Sequence, residues 1–237
     1  MATRTHPVAK QRVPLSRDRV LRAATALADQ GGIDALTMRK LAEDLGVEPM
    51  SLYHYVANKG DILSGITDIV ASEIEVPSSG GDWKAALRKS AVSFHNTLAR
   101  HPWACSLMMS GGVGPGRLRY MESLLRRLRE AGFSPQLTHH AYHALDSHII
   151  GFTLWAAGYT AAMRAGPGTV EAFLKQLPAD RYPYFFEHAE QHMTRPQRDG
   201  VSEFEFGLDL ILDGLKRVRG TALRGSPSER KSGRSRV

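Results

Sequence analysis

The chain is expected to be all-α, with an N-terminal three-helix unit and a larger helical body behind it. Three observations predict this. Apolar residues recur at three- and four-residue intervals along one segment after another, whereas no stretch shows the period of two that a strand needs. Glycine and proline fall between those segments, where helices have to stop. The 237 residues leave room for one domain of about 60 residues and another of about 140.

Residues 16–30 form the first amphipathic helix, with Val20, Ala23, Ala24, Leu27 and Ala28 inward and Gly31 and Gly32 as its stop. Thr37 then sits at a helix N-cap, and Met38, Leu41, Ala42 and Leu45 make one buried stripe behind it. Gly46 ends that helix: without a Cβ it can take the left-handed conformation a helix C-terminus prefers, and Val47 packs into the angle that follows. The next helix begins near Glu48 and Pro49, since proline is tolerated in a first turn whose N–H would lack a partner anyway. Leu52 and Val56 face inward at i,i+4, leaving Met50, Ser51, Tyr53, His54 and Tyr55 outward or sideways. Asn58 caps a further helix whose first turn carries Lys59 and Asp61.

The second helix of the pair has an unusual outer face for one that is merely solvated. It carries no acid after Glu48, it offers hydroxyls and an imidazole to phosphates and base edges, and it presents thioether and aromatic surface to thymine methyls. Lys59 opposes its helix dipole, which a phosphate at that end would offset. Two short helices around a tight turn, followed by a third, are what places a helix in the major groove. The same pattern also suits an ordinary three-helix subdomain with an aromatic-rich surface.

From about residue 16 to 66 the chain resembles the DNA-binding domain of the tetracycline-repressor (TetR) family. LTMRKLAEDLGV and SLYHYVANKGDIL place glycine, tyrosine and lysine at the family's spacing simultaneously. The resemblance implies that Arg39 contacts a base or phosphate, that Pro49, Met50, Ser51, Tyr53, His54 and Tyr55 lie on the recognition helix, and that Lys59 holds a phosphate. Thr37 joins these DNA-binding candidates. Pro49 stands where the tetracycline-binding branch has a base-reading side chain, which implies a different operator.

Residues 77–81 (PSSGG) read as a linker. Helices are expected over 82–100 and 117–131, with a Pro/Gly-interrupted stretch around His101 and Pro102 between them, then over 135–165 and 202–218, with helical pieces between Gly166 and Gly200. The long helix from Pro135 carries Ala144, Gly151, Gly158 and Ala165 seven apart. Glycine costs about 1 kcal/mol inside a helix relative to alanine, so two on one stripe imply close approach of another helix. Phe204, Leu208, Ile211, Leu215 and Val218 form a seam on the last helix. Either stripe could fill the protomer's own core. In the family both helices pair with their twins in a four-helix bundle, which gives Ala144, Gly151, Gly158, Leu208, Ile211 and Leu215 as the expected dimer interface.

Of the apolar and aromatic residues in this half, most belong to the core. The resemblance puts Phe94, in WKAALRKSAVSF, at a ligand-contacting position. Met108 stands where the tetracycline-binding branch has a metal-binding histidine, and Tyr159 where it has an acid near magnesium. Neither a thioether nor a neutral phenol supplies the charged oxygen a hard cation wants. The expected effector is therefore a larger, more apolar small molecule without magnesium, with Phe94, Met108, Trp155 and Tyr159 as its candidate contacts. No cofactor is expected. His139, His143 and Asp146 share one helical face, as do His188 and His192, which suits either a transition-metal site or a histidine whose tautomer a carboxylate fixes.

The net charge of +7 belongs to the ends of the chain. Residues 219–237 hold six basic residues and one acid, and residues 1–12 hold three basic residues and no acid, so the body must rely on a few placed contacts rather than bulk attraction. The expected division is a basic flexible arm at 1–14, a helix–turn–helix DNA-binding domain at 15–76, a ligand-binding and dimerisation domain at 82–219, and a basic disordered tail at 220–237. A single cysteine, Cys105, excludes an intrachain disulfide and fits a reducing cytoplasm. The longest uncharged stretch, residues 147–163, is 17 residues long and holds a histidine and two glycines, so it reads as a core helix rather than a membrane span.

An enzyme is disfavoured: no G-x-S-x-G elbow or P-loop appears, and GGVGPG at 111–116 follows no strand and is interrupted by Pro115. These readings together imply a dimeric, ligand-controlled transcription regulator, a repressor on a palindromic operator. Its partners would be double-stranded DNA, a small-molecule effector and a second copy of itself, with no membrane involved. The alternatives are a nucleoid-type protein that binds DNA without a ligand, and an activator.

Overall fold

The computed structural model describes residues 14–110, 112–163, 169–193 and 202–225, and the basic ends at 1–13 and 226–237 lie outside that set. Among the described residues there are eleven α-helices, one short 3₁₀ turn and no strand. They form two compact units, Met1–Thr67 and Asp68–Val237.

The first unit contains α1 (Arg17–Gly31), α2 (Met38–Leu45), α3 (Pro49–Leu52) and the first part of α4 (Lys59–Ser72). Ser16 caps α1 by accepting from Arg19 N, and Gly32 ends it at φ 74° while its N–H returns to Ala28 O. The core is Val20, Ala24, Leu27, Leu36, Leu41, Leu52, Val56, Ile62 and Ile66. Gly65 lets α4 close on α1, because a Cβ there would lie 2.7 Å from Leu21 Cδ2.

The second unit contains α5 (Trp83–Arg100), α6 (Ala104–Ser110), α7 (Pro115–Glu130), α8 (Pro135–Met163), α9 (Thr169–Gln176), α10 (Pro183–Met193) and α11 (Glu203–Gly225). The expected breaks hold at their main points: Asp82 caps α5 by accepting from Lys84 N, and the chain leaves α5 at His101. The interrupted segment after Pro102 nonetheless contains a helix, α6, and α7 starts two residues before its expected first residue. Gly116 explains the earlier start. A Cβ there would come within 2.5 Å of Ser72 Oγ, and its N–H donates to Asp68 Oδ1 at 2.6 Å, so a carboxylate meets the positive end of α7.

Helices α5, α8 and α11 pack on one another, with α7 against α5 and α8. Phe94, Tyr120, Phe133, Phe204, Leu208 and Leu212 are buried between them. His95 stacks on Phe204 with ring centroids 4.0 Å apart and shares a hydrogen bond with Thr153 Oγ1 at 2.8 Å, and burial lowers its pKa. His148 also stacks on Phe204, and its Nε2 lies 2.9 Å from Phe204 O, which accepts. Gly207 is the close-approach glycine inside the protomer, since a Cβ there would meet His148 Cε1 at 2.5 Å. On the flank, Arg88 of α5 donates to Asp209 and Glu205 of α11 at 2.8 and 2.9 Å. Cys105 is buried, and burial pushes its thiol up to about 11.

Leu208 departs from expectation: it belongs to this internal core and is not available to a partner. The four-and-three spacing that singled it out marks the seam α11 turns toward α5 and α8. Leu208→Ala is therefore expected to destabilise the folded protomer by about 2–5 kcal/mol, read as a lower denaturation midpoint in urea. Leu210→Ala, at an exposed position on the opposite side of α11, should leave the protomer's own packing intact.

Candidate nucleic-acid interface

The first unit builds its outer face from local rules and one tertiary clamp. Thr37 Oγ1 accepts from Lys40 N at 3.2 Å, which starts α2 and leaves the hydroxyl proton free to donate outward. Gly46 stops α2 at φ 66°, ψ 38°, with its N–H on Ala42 O and Glu43 O, and Val47 N reaches Ala42 O at 3.0 Å. The chain turns there into α3, with Pro49 in its first turn.

The second helix of the pair is shorter than its sequence suggests. Helix α3 proper ends at Leu52, and Tyr53–Tyr55 follow as a tighter hydrogen-bonded turn, with Tyr55 N and Val56 N both bonded to Leu52 O at 2.9 and 3.1 Å. Leu52 and Val56 are buried as expected and fix the element from below. Met50 and Tyr53 stand out from it, 73% and 47% exposed. His54 and Lys59 are also exposed, while Pro49, Ser51 and Tyr55 are half-buried. Asn58 caps α4 by accepting from Asp61 N at 3.0 Å, so Lys59 opens that helix as its first residue. Arg39, also exposed, pairs with Glu43 at 3.0 Å, and a phosphate would compete with that carboxylate for it.

The clamp joins Arg17 of α1 to Asp61 of α4. Two guanidinium nitrogens of Arg17 donate to the two oxygens of Asp61 at 2.7 and 2.6 Å, and Nη1 also donates to Tyr55 O at 3.0 Å. Asp61 Oδ2 accepts from Ala57 N at 2.9 Å. The turn after α3 is thus tied to both flanking helices. The Arg17 hydrogen bonds, aided by the Ala57 N–H, hold the Asp61 carboxyl down at about 2. Sequence reading noted Asp61 only as a first-turn acid and passed over Arg17, because nothing local links residues 44 apart.

A small trihelical unit with a capped, glycine-turned helix pair and an apolar, hydroxyl-bearing face matches known proteins closely. Residues 20–66 match the model for bacterial regulatory proteins of the tetR family, and residues 76–219 match that for the tetracyclin repressor-like C-terminal domain. The chain belongs to the TetR family of transcriptional regulators.

Among its TetR-family relatives, the HTH-type transcriptional repressor DrrR1 of Streptomyces coeruleorubidus is 33% identical over 85% of this chain and 77% of its own. The tetracycline repressor protein class D of Escherichia coli is 32% identical over 88% of this chain and 92% of its own. The crystal structure of apo ActR from Streptomyces coelicolor has a TM-score of 0.71 and 30% identity, covering 89% of this chain and 99% of that one. ActR has also been solved in complex with actinorhodin, at 28% identity and a TM-score of 0.68 over 88% of this chain and all of that one.

Three of the four candidate sensor residues of this TetR-family chain are described, on α5, α6 and α8, and they differ in burial. Phe94 is fully buried, its ring edge-on to Tyr120 at 4.9 Å and covered by the Arg117 guanidinium at 5.0 Å. Met108 is half-buried on α6. Trp155 stands on the outer face of α8, 57% exposed, with its ring 5.6 Å from Phe152. The side chain of Tyr159 lies outside the described residues, as do Ala165 and the side chain of His192. An open cleft of about 320 Å³ sits elsewhere, lined by Glu73, Glu75, Lys89, Ser93, Asn96 and Arg100 among others, and its charged lining does not suit an apolar effector.

The interface candidates separate in the same way. Ala144, Gly151 and Gly158 are exposed, and a Cβ at either glycine would meet open space within the protomer. Ile211 and Leu215 are half-buried. The exposed apolar row on α11 is Phe206, Leu210 and Val218, with half-buried Gly214 between the last two, and Phe206 is 61% and Leu210 58% exposed. A four-residue period beginning at Phe206 would have found it. Asp146 does not face the histidines for pairing: it binds Arg117, while the His139 and His143 rings meet edge-on at 4.5 Å. Among the described residues no three His, Cys, Asp or Glu side chains gather as metal ligands.

The Asp61 shift fixes a pH signature. Its folded pKa lies below its unfolded value, so the clamp's contribution is complete above about pH 4 and is lost as pH falls toward 2. Asp61→Asn should lower stability at pH 7 by about 1 kcal/mol, discounted for the partial exposure of the pair. The difference from wild type should shrink as the pH falls from 4 through 2, as followed by helical circular dichroism in urea.

Proposed function

We propose that this TetR-family regulator is a homodimeric repressor that binds a palindromic operator and is released by a small apolar or aromatic ligand. Residues 15–76 read DNA, and residues 82–219 sense the ligand and dimerise. The protein acts in the cytoplasm, where its DNA is. The observation that carries the reading is the outward set Met50, Tyr53, His54 and Lys59 on a backbone fixed from below by Leu52 and Val56. In the groove, Met50 and Tyr53 would meet base edges and thymine methyls, Ser51 and His54 would donate to bases or phosphates, and Thr37, Arg39, Tyr55 and Lys59 would hold the backbone. Pro49 supplies the start of the helix rather than a contact of its own.

Dimerisation is supported by a bare apolar surface on α8 and α11. Gly151 and Gly158 leave room for another helix to approach, and Leu154, Phe206, Leu210 and Val218 lie exposed on the same two packed helices. Two recognition helices held about 34–36 Å apart enter successive major grooves on one DNA face, which makes the operator palindromic. A ligand lowers operator affinity when it binds more tightly to a protomer arrangement with the wrong spacing. The complex of ActR with actinorhodin supports an aromatic effector held in the helical body.

Band shifts on duplexes selected by the purified protein, paired with sedimentation velocity, test this. Wild type is expected to be dimeric and to select one palindrome. Met50→Ala and Tyr53→Ala should each weaken that site about 5- to 100-fold while leaving the helical signal unchanged. Leu210→Asp should give monomers that no longer bind it. A monomeric wild type, or binding without preference among duplexes at physiological salt, defeats the proposal.

A further inference from the structure

Four of the chain's ten histidines fall on α8, and one of them, His148, already has a place in the packing, with its Nε2 on Phe204 O. The other three, His139, His140 and His143, lie within five residues near the start of the helix, and all are exposed. They touch one another. The His139 and His143 ring centroids are 4.5 Å apart with planes at 70°, His140 lies 5.5 Å from His139, and Tyr142 meets His143 at 5.0 Å. Among the described residues none of the three makes a hydrogen bond or an ion pair.

A solvated helix face is ordinarily covered by lysine, arginine and glutamate, yet α8 carries no lysine or arginine and a single acid over 29 residues. That acid is taken. Asp146 is bound to Arg117, so no carboxylate of α8 is left to pair with the exposed imidazoles. Histidines four apart stand on one helical face with Cβ atoms about 5–6 Å from each other, the spacing by which zinc-binding helices present two ligands to one ion.

We propose that His139 and His143 form a chelating site for a divalent transition ion of the Cu²⁺, Ni²⁺ and Zn²⁺ class. The ligand set decides the class. Imidazole nitrogen suits these ions, whereas Mg²⁺ and Ca²⁺ want charged oxygen, which this pair does not offer. Both rings are exposed and so can turn to aim one nitrogen each at an ion about 2.0–2.1 Å away. Two imidazoles leave the remaining positions to water, and the ion exchanges with solution, unlike a structural zinc held by four protein ligands. His140 is not part of the chelate, since no three His, Cys, Asp or Glu side chains gather as metal ligands among the described residues. The four-residue spacing holds only while α8 is helical. An ion gripped by both rings therefore binds the folded chain in preference to the unfolded one. Neither histidine belongs to the operator-reading or effector-contacting sets, and the site stands independently of the repressor reading.

Full-length protein without an affinity tag, stripped of metal with a chelator, is titrated separately with Cu²⁺, Ni²⁺, Zn²⁺ and Mg²⁺ by calorimetry at about pH 7.5, because imidazole binds metal only when neutral. One ion per protomer is expected for each of the first three, Cu²⁺ tightest, with no binding of Mg²⁺. The second ring closes on an ion the first already holds, an intramolecular step, so His139→Ala and His143→Ala should each weaken Ni²⁺ by about tenfold or more. His140→Ala and His188→Ala, the latter breaking the other four-spaced pair, should stay within about threefold of wild type. Alanine is the best helix former and the α8 positions are exposed, so the fold is kept, which helical circular dichroism checks. Excess Ni²⁺ should raise the urea midpoint of wild type and not that of His143→Ala. Weak binding at several sites that no variant changes marks an adventitious ion only and overturns the proposal. So do the absence of transition-ion binding, a loss in His140→Ala or His188→Ala equal to that in His143→Ala, and Mg²⁺ binding as tight as Ni²⁺.

Discussion

A helix of four residues does not hold itself in water, because nucleation fixes several residues in return for one hydrogen bond. The short helix Pro49–Leu52 and the turn behind it therefore depend on what surrounds them. Leu52 and Val56 fasten it into the core of the first unit, and Arg17 and Asp61 tie the end of its turn to α1 and α4. Everything exposed on that element inherits its position from those four side chains. A short element held at both ends keeps its outward side chains in place better than a longer free-standing helix would.

The second unit has a different problem, which is that α8 and α11 are each apolar on more than one side. One side of α11, through Phe204, Leu208 and Leu212, closes the protomer's core against α5 and α8. The other, through Phe206, Leu210 and Val218, is exposed, as are Gly151 and Gly158 of α8. The charged residues between the two sides are spoken for, since Glu205 and Asp209 bind Arg88 and Asp213 binds Lys84.

Much of the first unit was legible in the sequence because its signals are local. Ser16, Thr37 and Asn58 cap the helices they precede, and Gly46 turns left-handed where a helix must stop. The outward placement of Met50 and Tyr53 followed from the inward placement of Leu52 and Val56. The second unit was less legible. A seam with four-and-three spacing looks the same whether it faces its own core or a partner, and Leu208 went to the core while Gly151 and Gly158 stayed bare. Trp155 read as a pocket residue because it is aromatic on an apolar helix, yet α8 is long enough to have an outer face of its own. Asp146 read as a partner for histidines one turn away, but a guanidinium from α7 reaches it first.

By itself the sequence determined most of the helices, several of their caps and stops, and the composition of the outer face of the first unit's helix pair, because capping, glycine conformation and side-chain periodicity act within a few residues. Tertiary structure alone decided that Arg17 would hold Asp61, which side of α11 would be buried, and that Arg117 would bind Asp146 with one arm and leave the other idle. Each of those outcomes is set by groups 29 to more than 100 positions apart, as Arg117 is from Asp146 and Arg88 from Asp209. No short-range rule couples such positions, and only the packing of whole helices brings them within reach.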